Sequence, residues 1–400
     1  MNILIFTNHF YPEQFKVNDV AFYLSSCGDD VTVVTCVPNY PQGKFYKGYG
    51  IFKKRKEILN GVKIIRLPLI SRGKGHGIRL MFNYLSYFFS TLIYTPVLLF
   101  KKIDCVFVHE TSPAFIGVAA VIVKRIKKIP MYFWVLDLWP ESVLAVGSFS
   151  NKYVLKILAT MVRWIYKNSD KILITSKGFI PSILSKGDFA SKIEYFPNWA
   201  ESVFTEKIKE IKLPQLPSGF KIMYAGNMGE AQDFEAIMDA VLKLKNETDI
   251  KWIFVGNGRK KSWVDEFVRE NNLQNIVFIM GRYPIEQMPT FYQQADVMLL
   301  SLNNSPIFTL TVPARLQSYM ACGKPIVAMI NGEAANIITD AECGLVANSG
   351  DSKILAENIL KIYDKNCDST EMGKKAKIFY SENFDRSMLL NKLYSIIHKD

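Results

Sequence analysis

Pro306-Ile307-Phe308-Thr309-Leu310-Thr311-Val312-Pro313-Ala314-Arg315-Leu316-Gln317-Ser318-Tyr319-Met320-Ala321-Cys322-Gly323-Lys324-Pro325-Ile326-Val327 places a proline in the first turn of a helix, an arginine inside that turn, a glycine at its end and then an apolar strand. A helix opening near Pro313 leaves backbone N–H groups unpaired and a partial positive charge at its mouth, which is what holding a diphosphate requires. Helix followed by buried strand is also the repeating unit of an α/β fold, and the rest of the chain repeats it.

Strands are expected at 3–7, 31–36, 62–67, 105–109, 131–135, 171–175 and 193–196, and again at 221–225, 252–255, 276–280, 297–301, 326–329 and 345–347, with helical patterns between most of them. Continuous apolar strands separated by helices imply parallel sheets covered on both faces. The polar stretch 200–219, with Pro214 and Pro217, reads as a linker. At 400 residues the chain exceeds what one core usually serves. The expected domains are therefore 1–198 and 199–383, two doubly wound sheets facing across a cleft where the ligands of such sheets bind.

A composition of 49% hydrophobic and 22% charged residues, without repeats, excludes disordered and fibrous classes. The formal charge of +12 implies anionic partners. No finger, basic zipper or RNA-recognition signature accompanies it, so nucleic acid is not expected. The basic runs Lys53-Lys54-Arg55-Lys56, Arg72 with Lys74 and Arg79, and Lys101-Lys102 bracket the segment 78–100, which suits a membrane surface. Residues 81–100 carry no charge, yet Asn83, Ser86, Ser90, Thr91, Thr95 and Pro96 interrupt them. A bilayer span, a helix lying in the interface and an ordinary core helix all remain open, the interfacial helix being favoured over a span. Cysteines 27, 36, 105, 322, 343 and 367 show neither a disulfide framework nor zinc spacing, which fits the cytoplasm. The N-terminal Asn2-Ile3-Leu4-Ile5-Phe6-Thr7 reads as a first strand, not a signal peptide.

The second half opens with Gly226-Asn227-Met228-Gly229 after a strand, and Gly256-Asn257-Gly258-Arg259-Lys260-Lys261 and Gly281-Arg282-Tyr283-Pro284 follow later strands. Glycines let backbone approach a ligand closely, and cations behind them can neutralise a diphosphate. In the first half, His109, Glu110 and Asp137 fall at strand ends, where they are candidates for proton transfer, with Trp139-Pro140 placed to pin Asp137 and pack a sugar face. Glu141 is a weaker candidate at a helix start. The loop 39–49, with Asn39, Tyr40, Tyr46 and Tyr49, has the aromatic and hydroxyl content of a carbohydrate contact.

These residues, with Asn18-Asp19, Val37-Pro38-Asn39-Tyr40-Pro41-Gln42-Gly43, Val135-Leu136-Asp137-Leu138-Trp139-Pro140-Glu141-Ser142 and Phe196-Pro197-Asn198, resemble glycosyltransferase family 4 of the GT-B architecture. The likeness is strongest to bacterial O-antigen and capsule transferases of the N-acetyl-L-fucosamine type. It implies two Rossmann-like domains, the first for acceptor and the second for a nucleotide sugar, with a C-terminal helix at about 384–400 packing back onto the first. It implies no metal or cofactor. Strand-end position, joined for Asp137 by the family match, makes Asp137, Glu110 and His109 the catalytic candidates. Donor binding falls to Gly226, Asn227, Gly229, Arg259, Lys260, Arg282, Tyr283, Thr311, Pro313, Arg315 and Ser318, and acceptor binding to Asn18, Asn39, Tyr40, Trp139 and Glu141. Two departures stand out: Leu310 and Ser318 occupy positions where many members carry glutamates, leaving ribose to Ser318, Glu333 or backbone, and the glycine pair after the first strand is replaced around 14–17.

The expected function is retaining transfer of a sugar from a UDP-sugar to a polyprenyl-diphosphate-linked oligosaccharide, in surface lipopolysaccharide or capsule synthesis, at the cytoplasmic face of the plasma membrane. Alternatives are a nucleotide-sugar 2-epimerase of the same fold, or a non-catalytic membrane-associated scaffold.

Overall fold

Strand and helix alternate through both halves of the computed structural model, which describes residues 1–73, 75, 77–145, 151–206 and 213–399. The chain divides into two units, Met1–Pro197 with Leu389–Asp400, and Asn198–Met388.

The first unit holds strands β1 (Asn2–Thr7), β2 (Asp30–Cys36), β3 (Lys56–Leu59), β4 (Val62–Leu67), β5 (Cys105–Glu110), β6 (Met131–Val135), β7 (Lys171–Ile174) and β8 (Ile193–Tyr195). Its helices are α1 (Lys16–Ser26), α2 (Gly77–Leu99), α3 (Ile116–Lys127), α4 (Glu141–Ala145), α5 (Lys152–Asn168) and α6 (Ile180–Ser185). The sheet order is β3-β4-β2-β1-β5-β6-β7-β8. Helices lie on both sheet faces, so Ile3, Leu4, Ile5 and Phe6 of β1 are all buried without alternation. All pairings are parallel except β3 with β4. Strand β1 lies between β2 and β5, pairing Thr7 with His109, so the winding reverses there and the crevice at its C-terminal end is where such a sheet takes a ligand.

Strand β3 was not expected, because its residues sit beside the basic run. Lys56 belongs to this edge strand, and Glu57 pairs with the buried guanidinium of Arg66 at 2.8 Å. Lys74, another of the expected docking cations, lies outside the described residues.

Helix α2 removes one of the three readings of residues 81–100, the bilayer span. Among the described residues no helix is long and apolar enough to cross a membrane. The face of α2 turned inward is mostly polar: Asn83, Tyr87, Thr91 and Thr95 are buried together with Leu98, the Tyr87 hydroxyl bonding the Thr7 carbonyl at 2.8 Å and Asn83 Nδ2 bonding the Ile70 carbonyl at 2.6 Å. Ile78, Phe82, Phe89, Ile93 and Val97 recur on the exposed side, with Ile93 78% exposed.

The second unit contains β9 (Phe220–Asn227), β10 (Ile250–Asn257), β11 (Val277–Gly281), β12 (Val297–Ser301), β13 (Ile326–Met329) and β14 (Gly344–Ala347), in the order β11-β10-β9-β12-β13-β14 and parallel throughout. Its helices are α7 (Phe234–Lys243), α8 (Lys261–Glu270), α9 (Met288–Gln294), α10 (Pro306–Leu310), α11 (Ala314–Ala321), α12 (Glu333–Asp340), α13 (Ser352–Tyr363) and α14 (Ser369–Asn383). Alternate strand residues feed two cores, Met223 and Ala225 entering one and Ile222 and Tyr224 the other. The winding reverses here between β9 and β12.

The expected linker is partly core. Ala200, Phe204 and Leu216 are buried in the second unit, Phe204 stacking on Tyr292 at 5.3 Å, because the apolar residues of a proline-broken stretch still reach a hydrophobic face. Residues 207–212 lie outside the described residues. The last helix, α15 (Arg386–Lys399), runs into the first unit, where Lys392 donates to the Tyr195 carbonyl at 2.7 Å and His398 Nε2 meets Asp29 at 3.1 Å.

Candidate active site

In the second unit the glycine turns after β9 and β10 are pressed together. Met228 N–H donates to the Asn257 carbonyl and Lys260 N–H to the Met228 carbonyl, each at 2.9 Å. A Cβ on Gly256 would stand 1.8 Å from the Gly226 oxygen, and one on Gly258 2.2 Å from the Met228 oxygen. Glycine is therefore a steric requirement of the pair. Gly229 N–H donates to Gln232 Oε1 at 3.0 Å, and Asn227 is exposed.

Arg315 reaches these turns from α11. Pro313 is the N-cap of that helix and not part of its first turn, which places Arg315 at the second helical position. The Arg315 guanidinium lies 4.8 Å over the Tyr224 ring and hydrogen-bonds its phenol, its Cδ would touch a Cβ at Gly226 at 3.0 Å, and its buried Nη1 has no hydrogen-bond partner among the described residues. An orphaned guanidinium N–H costs energy unless something accepts from it, and an anion beside the Gly226 turn would do so.

Other expected donor residues are placed differently. Lys260 pairs with both Glu230 and Glu235, whose carboxylates raise its pKa, so its charge is already neutralised. Ser318 is buried and its hydroxyl donates to the Ala314 carbonyl at 3.3 Å, so it cannot serve a ribose in this conformation. The Thr311 hydroxyl donates to the Phe308 carbonyl at 3.2 Å. Arg259 and Arg282 are exposed and form no ion pair among the described residues, and Tyr283 packs edge-on to Phe291 at 4.7 Å.

In the first unit the three strand-end candidates divide. His109 is fully buried; Thr7 Oγ1 donates to the His9 carbonyl at 2.9 Å and meets His109 Nδ1 at 3.0 Å, so Nδ1 carries the proton and the partnerless Nε2 is a lone pair. Burial, helped by the charge on His9, lowers its pKa to about 3 and keeps the ring neutral. Glu110 is buried too. Burial and then the Asp137 charge push its carboxyl well above the ordinary range. Both were expected to meet substrate; in this conformation neither offers an accessible basic atom, because the last residues of β5 remain inside the covered sheet. Asp137 is the exception. It is half-buried, and its Oδ2 accepts from Ser112 N–H at 3.1 Å and Ser112 Oγ at 2.8 Å.

Most of the expected acceptor residues are fasteners. Trp139 is 6% exposed, its indole N–H donating to Ser112 Oγ at 3.1 Å and its ring meeting Phe115 edge-on, so no sugar stacks on it. Glu141 accepts from Lys186 and Ser182; burial opposes ionisation, but those bonds outweigh it and the carboxyl is held below its ordinary range. Asn18 bonds Tyr11 N–H and the Glu13 carbonyl. Asn39 is buried, its Oδ1 accepting from Arg72 N–H at 3.0 Å. Tyr40 alone presents an exposed ring, beside His9, Phe15 and Arg72.

Sequence reasoning missed two residues here. Glu13 is buried, one oxygen accepting from the backbone N–H groups of Asn39 and Tyr40 at 2.6 Å each and the other meeting His9 Nδ1 at 2.7 Å, so it holds the tyrosine loop against β1. Ser112 bridges Asp137 and Trp139. Its signal was its place just before Pro113, two residues past Glu110 at the end of β5.

Residues 219–365 match the family model for glycosyl transferases group 1. The chain is 24% identical over 275 residues to a probable glycosyltransferase, WbjE, of Pseudomonas aeruginosa, covering 66% of this chain and 68% of WbjE. It is 21% identical over 351 residues to a putative colanic acid biosynthesis glycosyl transferase, WcaI, of Escherichia coli K12, covering 84% of each. Among solved structures it resembles HepE of Anabaena, crystallised with UDP, at a TM-score of 0.66 and 13% identity over all of both chains.

Proposed function

We propose that this chain, a glycosyltransferase of GT-B architecture carrying a glycosyl transferases group 1 domain, transfers a sugar with retention from a UDP-sugar to a polyprenyl-diphosphate-linked saccharide in bacterial surface-polysaccharide assembly. The observation that carries the donor half is the orphaned Arg315 Nη1 beside the interlocked glycine turns. HepE was crystallised with UDP, and WcaI is named for colanic acid synthesis; both support the class of donor and product. N-acetyl-L-fucosamine as the sugar rests on sequence likeness.

In the reaction the bond from the anomeric carbon to the diphosphate oxygen breaks, its electron pair staying on the diphosphate. Arg315, the exposed Arg259 and Arg282 and the N–H groups opening α11 meet that charge. Side chains and amides rather than a metal are the neutralising groups in this reading. The acceptor hydroxyl oxygen bonds the anomeric carbon on the face the diphosphate left, and its proton passes to Asp137, oriented by Ser112.

The acceptor is a lipid, and α2 supports work at the inner face of the plasma membrane through its exposed apolar residues, with Arg79 near one end and Lys101 and Lys102 after the other. A thermal-shift screen of nucleotide sugars tests the donor half. A UDP-sugar is expected to raise Tm by mass action and Arg315→Met to abolish the rise; no stabilisation by any UDP-sugar would overturn the reading.

A further inference from the structure

We propose that Arg72 is the receptor for the acceptor's diphosphate, an assignment that rests on the lipid-linked acceptor named above. The guanidinium of Arg72 lies 5.3 Å from the Tyr40 ring centroid and 5.8 Å from that of Tyr84. The two rings flank the guanidinium, and the Tyr84 phenol hydrogen-bonds it as well; the fork has five N–H donors, and those left over can match a phosphate bidentately.

The backbone beneath it is fixed. Arg72 N–H donates to Asn39 Oδ1 at 3.0 Å, Asn83 Nδ2 of α2 reaches the same oxygen at 3.4 Å, and Asn39 N–H is tied to Glu13 at 2.6 Å. Arg79 adds a second cation, donating from Nε to the Ser71 carbonyl at 3.2 Å and from Nη2 to Ser71 Oγ at 3.0 Å. Neither arginine forms an ion pair with a carboxylate among the described residues. Between Glu57 and Asp104 the sequence holds no acidic residue at all, so nothing on this segment competes with an incoming anion.

Two further relationships select a phosphorylated lipid over a free anion. The element that follows Arg72 is α2, whose outward face carries Phe82, Phe89, Ile93 and Val97, so an anion receptor and an apolar surface succeed each other along the chain as head and tail do in a prenyl diphosphate. The receptor also neighbours the proposed base. Burial raises the Tyr84 phenol's pKa, Arg72 opposes that rise and the Asp137 carboxylate adds to it, which places Tyr84 within electrostatic reach of both. A diphosphate on Arg72 would therefore anchor a saccharide whose hydroxyl is presented near Asp137.

The test uses the full chain without donor, so its outcome is independent of whether UDP-sugars bind. Farnesyl diphosphate, farnesol and inorganic pyrophosphate are titrated into wild type, Arg72→Gln, Arg72→Lys and, as a control, the exposed Lys245→Gln of the second unit, with circular dichroism confirming each fold. Wild type is expected to bind farnesyl diphosphate at least tenfold more tightly than pyrophosphate or farnesol. Arg72→Gln should lose at least tenfold, Arg72→Lys should recover most of it, and Lys245→Gln should stay within twofold of wild type. Equal affinity for pyrophosphate and farnesyl diphosphate, unchanged binding by Arg72→Gln, or a folded Arg72→Lys no better than Arg72→Gln would each overturn the assignment.

Discussion

Ser112 Oγ donates to Asp137 Oδ2 at 2.8 Å while accepting the Trp139 indole N–H at 3.1 Å, so the hydroxyl has one orientation and the carboxylate one seat. Ser112 occupies Oδ2 alone. Asp137→Asn should lower kcat by about 10²–10⁴-fold, the usual span for a lost acid–base group, with UDP binding unchanged. Ser112→Ala, which loosens the seat without removing the base, should cost roughly tenfold. A D137N enzyme keeping more than a tenth of wild-type turnover would remove Asp137 from the chemistry.

The buried neutral His109 gives a pH signature of stability. Its pKa falls from 6.5 to about 3 on folding, so between those values the unfolded chain binds the extra proton and stability falls as pH falls, by about 1.4 kcal/mol per pH unit. Above pH 6.5 both states are neutral and the contribution is constant. Glu110 titrates with the opposite sign, being raised, so the comparison must be differential. Urea unfolding of wild type against His109→Gln should show the difference in stability growing with pH up to about 6.5 and then flattening; a flat difference across pH 4–6.5 would mean the ring is protonated in the fold.

The sheets were legible because parallel strands covered on both faces need no alternation, and apolar runs such as Ile3 to Phe6 or Val297 to Leu300 have few other uses. Strand β3 was not, since an edge strand exposes one side and its Lys56 and Glu57 read as solvated charge. The site was legible only as strand ends. Whether a strand-end side chain stays partly accessible, as Asp137 does, or lies under the sheet's cover, as His109 and Glu110 do, depends on packing from distant elements that spacing does not encode. Pairing hides in the same way: Lys260 resembles a phosphate ligand until Glu230 and Glu235 are seen to reach it.

The interlocked glycine turns make a steric prediction. Gly258→Ala drives a methyl into the Met228 carbonyl, a backbone atom that cannot swing aside, so the two turns must separate. Donor binding should be lost and stability should fall by roughly 3 kcal/mol, at the upper end of single-site effects. Gly281→Ala is the contrast in space, nothing standing within 4 Å of its Cβ, though its positive φ of 79° disfavours alanine. It should lower stability by about 1 kcal/mol and leave donor affinity nearly intact. Calorimetric titration with UDP separates the two.

Helix α2 should govern partitioning onto membranes. Phe89→Ser/Ile93→Ser removes apolar surface that is mostly exposed already, so melting temperature should hold while binding to vesicles containing phosphatidylglycerol drops at least tenfold, as loss of two inserted side chains predicts. Sedimentation of the variant with vesicles at the wild-type level would show that this face serves another purpose.

Arg315 and Lys260 both stand near the glycine turns, and their environments predict opposite outcomes when each is replaced by methionine. Lys260 is flanked by two glutamates that raise its pKa, so a diphosphate gains little from it, and Lys260→Met should keep UDP affinity within about threefold. Arg315 holds an N–H with no partner among the described residues in a buried position, where each charge-assisted bond contributes about 1.5–3 kcal/mol. Arg315→Met should therefore weaken UDP by more than tenfold. It should also leave folding stability unchanged or improved, because the orphaned donor disappears. Reversed effects in the two variants would move the diphosphate from the Tyr224 side of the turns to the α8 side, and with it the assignment of the leaving group's partner.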